Sequence, residues 1–456
     1  VQFMSENLNS IQTPQTRLGF HYYPDYLHYR ENDLNAWLPE ARAMGATWMT
    51  LSAPADRAIP EAFISGLLRA GVDPILHFQI PLNESPAPAE LSLLLETYAR
   101  WGVHYAVFFD KPNSRAAWGT KAWAQEDLVE RFLDRFVPLA EMALHSGLTP
   151  VFPPLEPGGN YWDTAFLHAA LESLQRRKQA RLLQQTALSA YAWTNNHPLN
   201  WGAGGPERWP GTHPYLTLPN EEDQRGFHIF DWYLAISRQV LGTSLPILLF
   251  QLGQTLSPEK APVPIKDPAL HAQAGLAMAQ LLMGEKVEDP AHPGAELDAI
   301  PPEVLCGNFW LLACEPASPL SAQAWFQANG AALPVAGVVR QWWANRRENH
   351  SAAKTIANAS APTQDERLPI SHYLLLPSYE WGVSDWHLDI IRPFIKKHQP
   401  TIGFSLQEAA FAAHVTVVGG EQSFSEASLV ELQAHGCQVE RISGDGITIA
   451  TKLAER

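Results

Sequence analysis

Carboxylates, amides and aromatic rings recur along this chain in short clusters, each just after a short apolar run. Tyr23 and Asp25 follow the first run. Asp110, Lys111 and Asn113 follow another, with Trp118 behind them. Glu156, Asn160, Tyr161, Trp162 and Asp163 come next, then Trp193, Asn195, His197 and Trp201, then Gln251, then Glu315. Paired carboxylates can act as general acid and base, or one of them can attack an electrophilic carbon. Aromatic faces stack on flat apolar surfaces such as those of sugar rings, and amides bind hydroxyls. The combination reads as a carbohydrate cleft. Trp118, Tyr161, Trp162, Trp193 and Trp201 are the expected stacking faces, and Asn113, Asn160, Asn195 and His197 the expected hydroxyl contacts. His21, Tyr23, Lys111 and Gln251 complete the expected substrate-binding set. Asp110, Glu156 and Glu315 are the catalytic candidates, with Asp163 beside them and Asp25 behind. Plainer readings stand next to these. The sixteen Trp can fill a core, as Trp342 and Trp343 on a late helix would. His21 and His77, inside apolar runs, suit hydrogen-bonded core positions. Lys111 suits an ion pair with Asp110 or another acid.

The runs that precede the clusters have strand character: Leu18–Tyr23, Trp48–Ser52, Pro74–Phe78, Tyr105–Phe109, Pro150–Pro154, Thr186–Tyr191, Pro246–Phe250 and Gly307–Ala313. Between them lie segments of helical period, including Leu34–Met44 after a possible cap at Asp33, Glu61–Ala70, Leu91–Trp101 and Gln125–His145. Alternating strands and helices imply parallel strands with right-handed crossovers. Eight such units predict a closed (β/α)8 TIM barrel over residues 17–344. In that fold the clusters share the rim at the C-terminal ends of the strands. Residues 1–16 read as a polar tail and 345–367, rich in Ala and Ser, as a linker. A small α/β domain is expected over 368–456, with strands at His372–Leu376, Val415–Val418 and Val439–Ile442 and helices at Trp386–Lys397, Phe404–Ala413 and Ser425–His435.

A net charge of −15 over 456 residues argues against nucleic acid or an anionic membrane as partner. No apolar stretch approaches the ~20 residues of a membrane span. No glycine-rich phosphate loop follows a strand. Cys306, Cys314 and Cys437 have neither metal-ligand nor disulfide-framework spacing; Cys306 and Cys314 could pair or stay free. No metal and no cofactor are expected. No signal peptide is visible, and an extracellular or cell-surface place is slightly favoured.

Two stretches carry a family likeness. Tyr98–Trp118 resembles the strand-4 region of the retaining glycoside hydrolase barrels, in which a Trp-Asn-Glu-Pro-Asn run is common. Leu245–Gln254 resembles their strand 7, where Thr-Glu-x-Gly is common. In that superfamily the first Glu is the acid/base and the second the nucleophile, about 5 Å apart. Here Lys111 and Gln251 stand at the matching positions, and Asp110 stands where the Asn would be. The resemblance implies one of three things. The barrel is a degenerate hydrolase that binds oligo- or polysaccharide without cutting it. Or it cuts with relocated carboxylates, suited to an inverting reaction if they stand about 6.5–9.5 Å apart. Or Lys111 is an amine for Schiff-base lyase chemistry. Residues 415–456 resemble the cell-wall-binding repeat of bacterial surface proteins, through Gly419, Gly420, Ser425, Arg441, Ile442, Gly444 and Thr451. That likeness implies a bacterial cell-envelope polymer as a further partner; a domain that simply docks on the barrel is the alternative.

Overall fold

The computed structural model describes residues 16–83, 88–254, 267–290, 294, 296–327, 330–360, 368, 370–377 and 385–454. The chain divides after Glu348 into two units.

The first unit is an eight-stranded parallel α/β barrel. Its strands are β1 (Leu18–His21), β2 (Trp48–Ser52), β3 (Asp73–Phe78), β4 (Tyr105–Phe108), β5 (Thr149–Val151), β6 (Leu188–Trp193), β7 (Ile247–Gly253) and β8 (Val304–Phe309). They are hydrogen-bonded in the order β5-β4-β3-β2-β1-β8-β7-β6. The ring closes between β5 and β6 through a single bridge, Val151 to Ala187. Two backbone bonds make it, Phe152 N–H to Ala187 O at 2.8 Å and Ala187 N–H to Pro150 O at 3.2 Å. The weak ladder has a cause in the sequence: Pro150, Pro153 and Pro154 remove three backbone donors from this edge.

In β2, Trp48 enters the lumen cluster with Ile75, Val107, Val151, Leu248, Phe250 and Cys306, while Met49 and Leu51 face the helices. Outside, the helix Leu128–Ser146 lays Phe132 and Phe136 against Phe152, with ring centroids 5.6 and 5.4 Å apart. Burying one such ring is worth about 1.5–3 kcal/mol. Cys306, Cys314 and Cys437 are free and buried.

Several boundaries differ from the sequence reading. The first helix begins at Glu31 rather than Leu34. Asp33 sits inside it and accepts the Arg30 amide at 2.9 Å. The following long helix begins at Leu128, after Asp127 in a left-handed conformation at φ 56°. Thr16 belongs to the barrel, its hydroxyl donating to Gly45 O at 2.7 Å; the rest of the expected tail lies outside the described residues. The helix Pro334–Ser360 runs through most of the expected linker, in keeping with the high helix propensity of its alanines; residues 361–367 lie outside the described set.

The second unit holds one sheet of four parallel strands. After the short barrel-unit pair β9 (Ala313–Cys314) and β10 (Phe326–Gln327), its strands are β11 (Ile370–Leu375), β12 (Thr401–Gly403), β13 (Ala412–Val418) and β14 (Gln438–Ile442), ordered β12-β11-β13-β14. Ser425 caps the helix Glu426–Ala434 by accepting the Ser428 amide at 3.2 Å. The expected helix Phe404–Ala413 shrinks to Leu406–Ala409. Ala412 instead pairs with Ile370 and extends β13, because a central strand gains ladder bonds that a last helical turn would forgo. No helix among the described residues is long and apolar enough to cross a membrane.

Candidate functional site

The mouth of the barrel is built around Lys111. Just past β4 the backbone takes left-handed conformations at Phe109 (φ 69°) and Lys111 (φ 48°). Neither is a glycine, and such strain persists only where surroundings fix it. Here the Lys111 amide donates to Pro154 O at 3.0 Å, and the Phe109 amide to Phe78 O at 3.0 Å. Lys111 Nζ lies 2.8 Å from Glu156 Oε2, both side chains largely buried, and 5.0 Å from the Tyr191 ring centroid. The Tyr191 hydroxyl donates to Asp110 Oδ1 at 2.5 Å. One chain of contacts therefore joins Glu156, Lys111, Tyr191 and Asp110. Lys111 does form an ion pair, with Glu156.

Gln251 reaches the same lumen. Tyr191 pairs in register with Gln251, and Phe250 is the extra residue of a bulge against β6. Register partners in a parallel ladder point to one face, and Tyr191 faces inward, so Gln251 does too. Below it, Phe250 packs on His77 at 4.7 Å and His21 packs on Trp310 at 4.7 Å. Burial and the neighbouring His77 push His21 down to about 3. Burial also lowers His77 against the opposing pull of Asp110 and the Phe109 carbonyl, and Nε2 of the neutral ring donates to Phe109 O at 2.9 Å. His21, Trp193 and Gln251 are buried, and among the described residues His21 Nδ1, Trp193 Nε1 and Gln251 Oε1 have no hydrogen-bond partner.

Several expected contacts prove to be structural. Asn113 is fully buried. Its amide donates to Glu156 O and Tyr161 O at 2.9 Å each and accepts the Glu156 amide at 2.8 Å. It staples the β4 loop to the β5 loop from a fully buried position, out of reach of a sugar hydroxyl. Trp118 is buried, donates to Pro112 O at 2.7 Å and lies under Arg131 at 4.9 Å; it offers no stacking face. Trp193 is buried in the lumen beside Trp310. Tyr23 is buried, with His28 stacked on it at 3.9 Å. Asp163 is buried and accepts from Gly158 N–H at 2.8 Å, Gln224 at 2.7 Å and Tyr233 at 2.9 Å. Burial raises its pKa against those bonds, yet it cannot reach a ligand, so it leaves the catalytic set. Asn160 accepts the Arg115 amide at 2.9 Å from an exposed position.

The remaining expected residues form two groups. Tyr161, Trp162, Asn195, His197 and Trp201 line the β5 and β6 loops, with His197 stacked on Trp201 at 4.0 Å. Burial lowers the His197 pKa, so its ring is neutral near pH 7. On the opposite side, Asp25 and Glu315 meet at a residue the sequence reading missed. His28 Nδ1 lies 2.8 Å from Asp25 and Nε2 2.8 Å from Glu315. Burial pulls His28 down, but its bonds to the two carboxylates outweigh that and leave its pKa raised. The spacing of Asp25 and His28, three residues apart, was the available signal.

No family model matches the chain, and no curated protein matches it. Among solved structures, it is similar to a family 39 glycoside hydrolase from Bacteroides cellulosilyticus, with TM-score 0.43 and 11% identity over 71% of this chain. The chain spans 63% of that protein's length. It is also similar to a family 39 β-xylosidase from Caulobacter crescentus, with TM-score 0.43 and 11% identity over 72% of this chain and 71% of the other. A family 128 endo-β-1,3-glucanase from Sorangium cellulosum gives TM-score 0.37 and 11% identity over 72% of this chain and 96% of the other. The likeness is one of barrel architecture.

Proposed function

We propose that the barrel mouth binds oligo- or polysaccharide and does not cleave it. One observation supports this above the rest: each candidate carboxylate is already bonded to a protein group. Glu156 faces Lys111, Asp110 takes the Tyr191 hydroxyl, and Asp25 and Glu315 share His28. At the position matching the nucleophile stands Gln251, whose neutral amide is a very poor attacking group. At the acid/base position stands Lys111, and the Glu156 carboxylate favours its protonated form. The lyase reading needs an amine without a carboxylate on it, and the Lys111–Glu156 pair argues against that reading.

A second reading has its own support. Asp110 and Glu156 flank one Lys111–Tyr191 pair, and two carboxylates set apart on one pocket suit an inverting hydrolase. The β14 residue Arg441, which carries part of the wall-repeat likeness, bonds Glu426 and the Phe424 carbonyl within its own unit. That weighs against a polymer contact at this residue.

The test is a panel of aryl glycosides and oligosaccharides, read by product release and by thermal shift. The binding reading expects a shift without release, and hydrolysis gained by Lys111→Glu with Gln251→Glu. Release from the unaltered protein that is lost in Asp110→Asn or Glu156→Gln would replace it with the hydrolase reading.

A further inference from the structure

The β5–β6 side of the rim carries an aromatic wall organised by one buried acid. Asp223 is fully buried. It accepts from the Arg225 amide and Nε at 2.9 Å each, from the Thr217 hydroxyl at 2.7 Å and from Trp201 Nε1 at 3.2 Å. Burial alone would raise its pKa; the bonds to Arg225 and Thr217 outweigh burial and hold it low. Arg225, so anchored, lays its guanidinium 5.2 Å from the Trp162 ring centroid. A Cβ at Gly158 would stand 2.7 Å from Arg225 Cδ, so glycine there clears the path. Trp162 in turn holds Tyr215: the rings lie 5.4 Å apart, and the Trp162 amide donates to the Tyr215 hydroxyl at 2.9 Å.

Tyr215 is the unusual member. It is a non-glycine residue at φ 67° and its side chain is 61% exposed. Leu216 and Leu218 beside it are also exposed, at 52% and 42%. The conformation closes the turn from His213 to Leu216, whose backbone groups exchange bonds at 3.0 Å each, and it presents an aromatic ring to water where turn formation alone would be served by a polar residue. The ring's surroundings hold no excess of positive charge: Arg225 is matched by Asp223, and the Glu222 carboxylate lies on the same loop cluster, accepting the Gly202 amide at 2.6 Å.

We infer that Tyr215, on Trp162 and Arg225, is a pre-formed stacking platform for a second ring of an uncharged oligosaccharide, beyond the ring held at the Lys111–Glu156 mouth. This rests on the binding reading above. Asn113 links the two places, since it bonds both Glu156 and Tyr161. Asp223 is a positioning residue, and Tyr215 and Arg225 are the contacts. The platform takes the apolar C–H face of a pyranose, and matched charge leaves no net attraction for a uronate.

The test is isothermal titration of the full chain with neutral gluco-, xylo- and laminari-oligosaccharides of two and six units, and with a hexa-galacturonate. The inference expects a neutral hexamer to bind more tightly than its dimer. Tyr215→Ala then weakens the hexamer roughly tenfold and leaves the dimer unchanged, and Tyr215→Phe, which keeps the ring, restores the hexamer. If Lys111→Met abolishes binding and Tyr215→Ala changes nothing at either length, the platform is overturned and the mouth reading stands. If Tyr215→Ala abolishes binding and Lys111→Met changes nothing, the mouth reading falls and the platform stands. Preference for the hexa-galacturonate overturns the neutral-ligand assignment. No binding by any sugar overturns both.

Discussion

On the β4–β6 side of the mouth, Glu156 faces Lys111 at 2.8 Å with both side chains mostly out of water. On the β1–β8 side, Glu315 faces His28 at the same distance, and the Glu315 side chain is 57% exposed. Equal distances conceal different physics. The first pair has left water, so each charge depends on the other, and removing one partner exposes the full desolvation cost of its mate. The second is screened by solvent and ends in an imidazole whose charge changes within the ordinary pH range. One side of the mouth is a fixed electrostatic frame; the other can be rearranged by a proton.

The largest effect that would test this contrast is Glu156→Ala. It leaves the Lys111 ammonium buried without that carboxylate and should cost about 3–5 kcal/mol, read by urea denaturation. A loss no larger than that of Glu315→Ala would show that water reaches both sides alike. Asn113→Ala comes next. It takes a partner from the Glu156 amide and from two carbonyls and should cost about 1–3 kcal/mol. Amide exchange should then quicken across 156–161; unchanged exchange there would separate the loop from the frame.

Smaller still is the His28 clasp. With its pKa raised in the folded state, His28 contributes stability that is complete below the unfolded value near 6.5 and is lost as pH rises through the folded value. The doubly bonded imidazolium can donate to both carboxylates, whereas the neutral ring donates to one. Wild type should therefore exceed Glu315→Gln by up to about 1 kcal/mol at pH 5.5, with the gap closing by pH 9. A gap independent of pH would assign the contact to packing. The smallest net change is expected for Lys111→Met combined with Glu156→Leu, within about 1 kcal/mol of wild type. A double variant as unstable as Glu156→Ala would mean that the pair itself, rather than its charge balance, supports the loops.

The barrel was readable because each strand is a compact β-rich run followed by a polar cluster, and that local pattern survives without knowledge of partners. The rim was readable for the same reason: Asp110, Lys111 and Glu156 follow their strands, and Gln251 lies near the end of its own. What individual side chains do there was not. Asn113 looks like a sugar contact until its three bonds to Glu156 and Tyr161 are known, and Asp163 looks catalytic until Gln224 and Tyr233 are seen to enclose it. Those partners lie 43–70 residues away, beyond any local pattern. Tyr215 escaped notice because nothing in a His-Pro-Tyr-Leu stretch announces a left-handed backbone or a ring resting on Trp162. In the C-terminal unit, local helical period at Phe404–Ala413 lost to the demand of β11 for a neighbour.

The proline-rich edge of β5 has a dynamic consequence. A ring of eight strands has as many seams, and here the β5–β6 seam is fastened by the two backbone bonds of one bridge and by the Ser189 hydroxyl, which donates to Phe152 O at 2.6 Å. A cleft of about 520 Å³ opens at its lower end between Tyr105, Thr149, Thr186 and Pro246. Thermal breathing concentrates where the fewest bonds must open together. The barrel should therefore part first along this line, with the Phe152 and Ala187 amides exchanging with solvent ahead of those in β1, β2 and β8. The β5 strand that leads to Glu156 is then the most compliant stave, and the loop it carries is the part of the rim most able to adjust to what lies in the mouth.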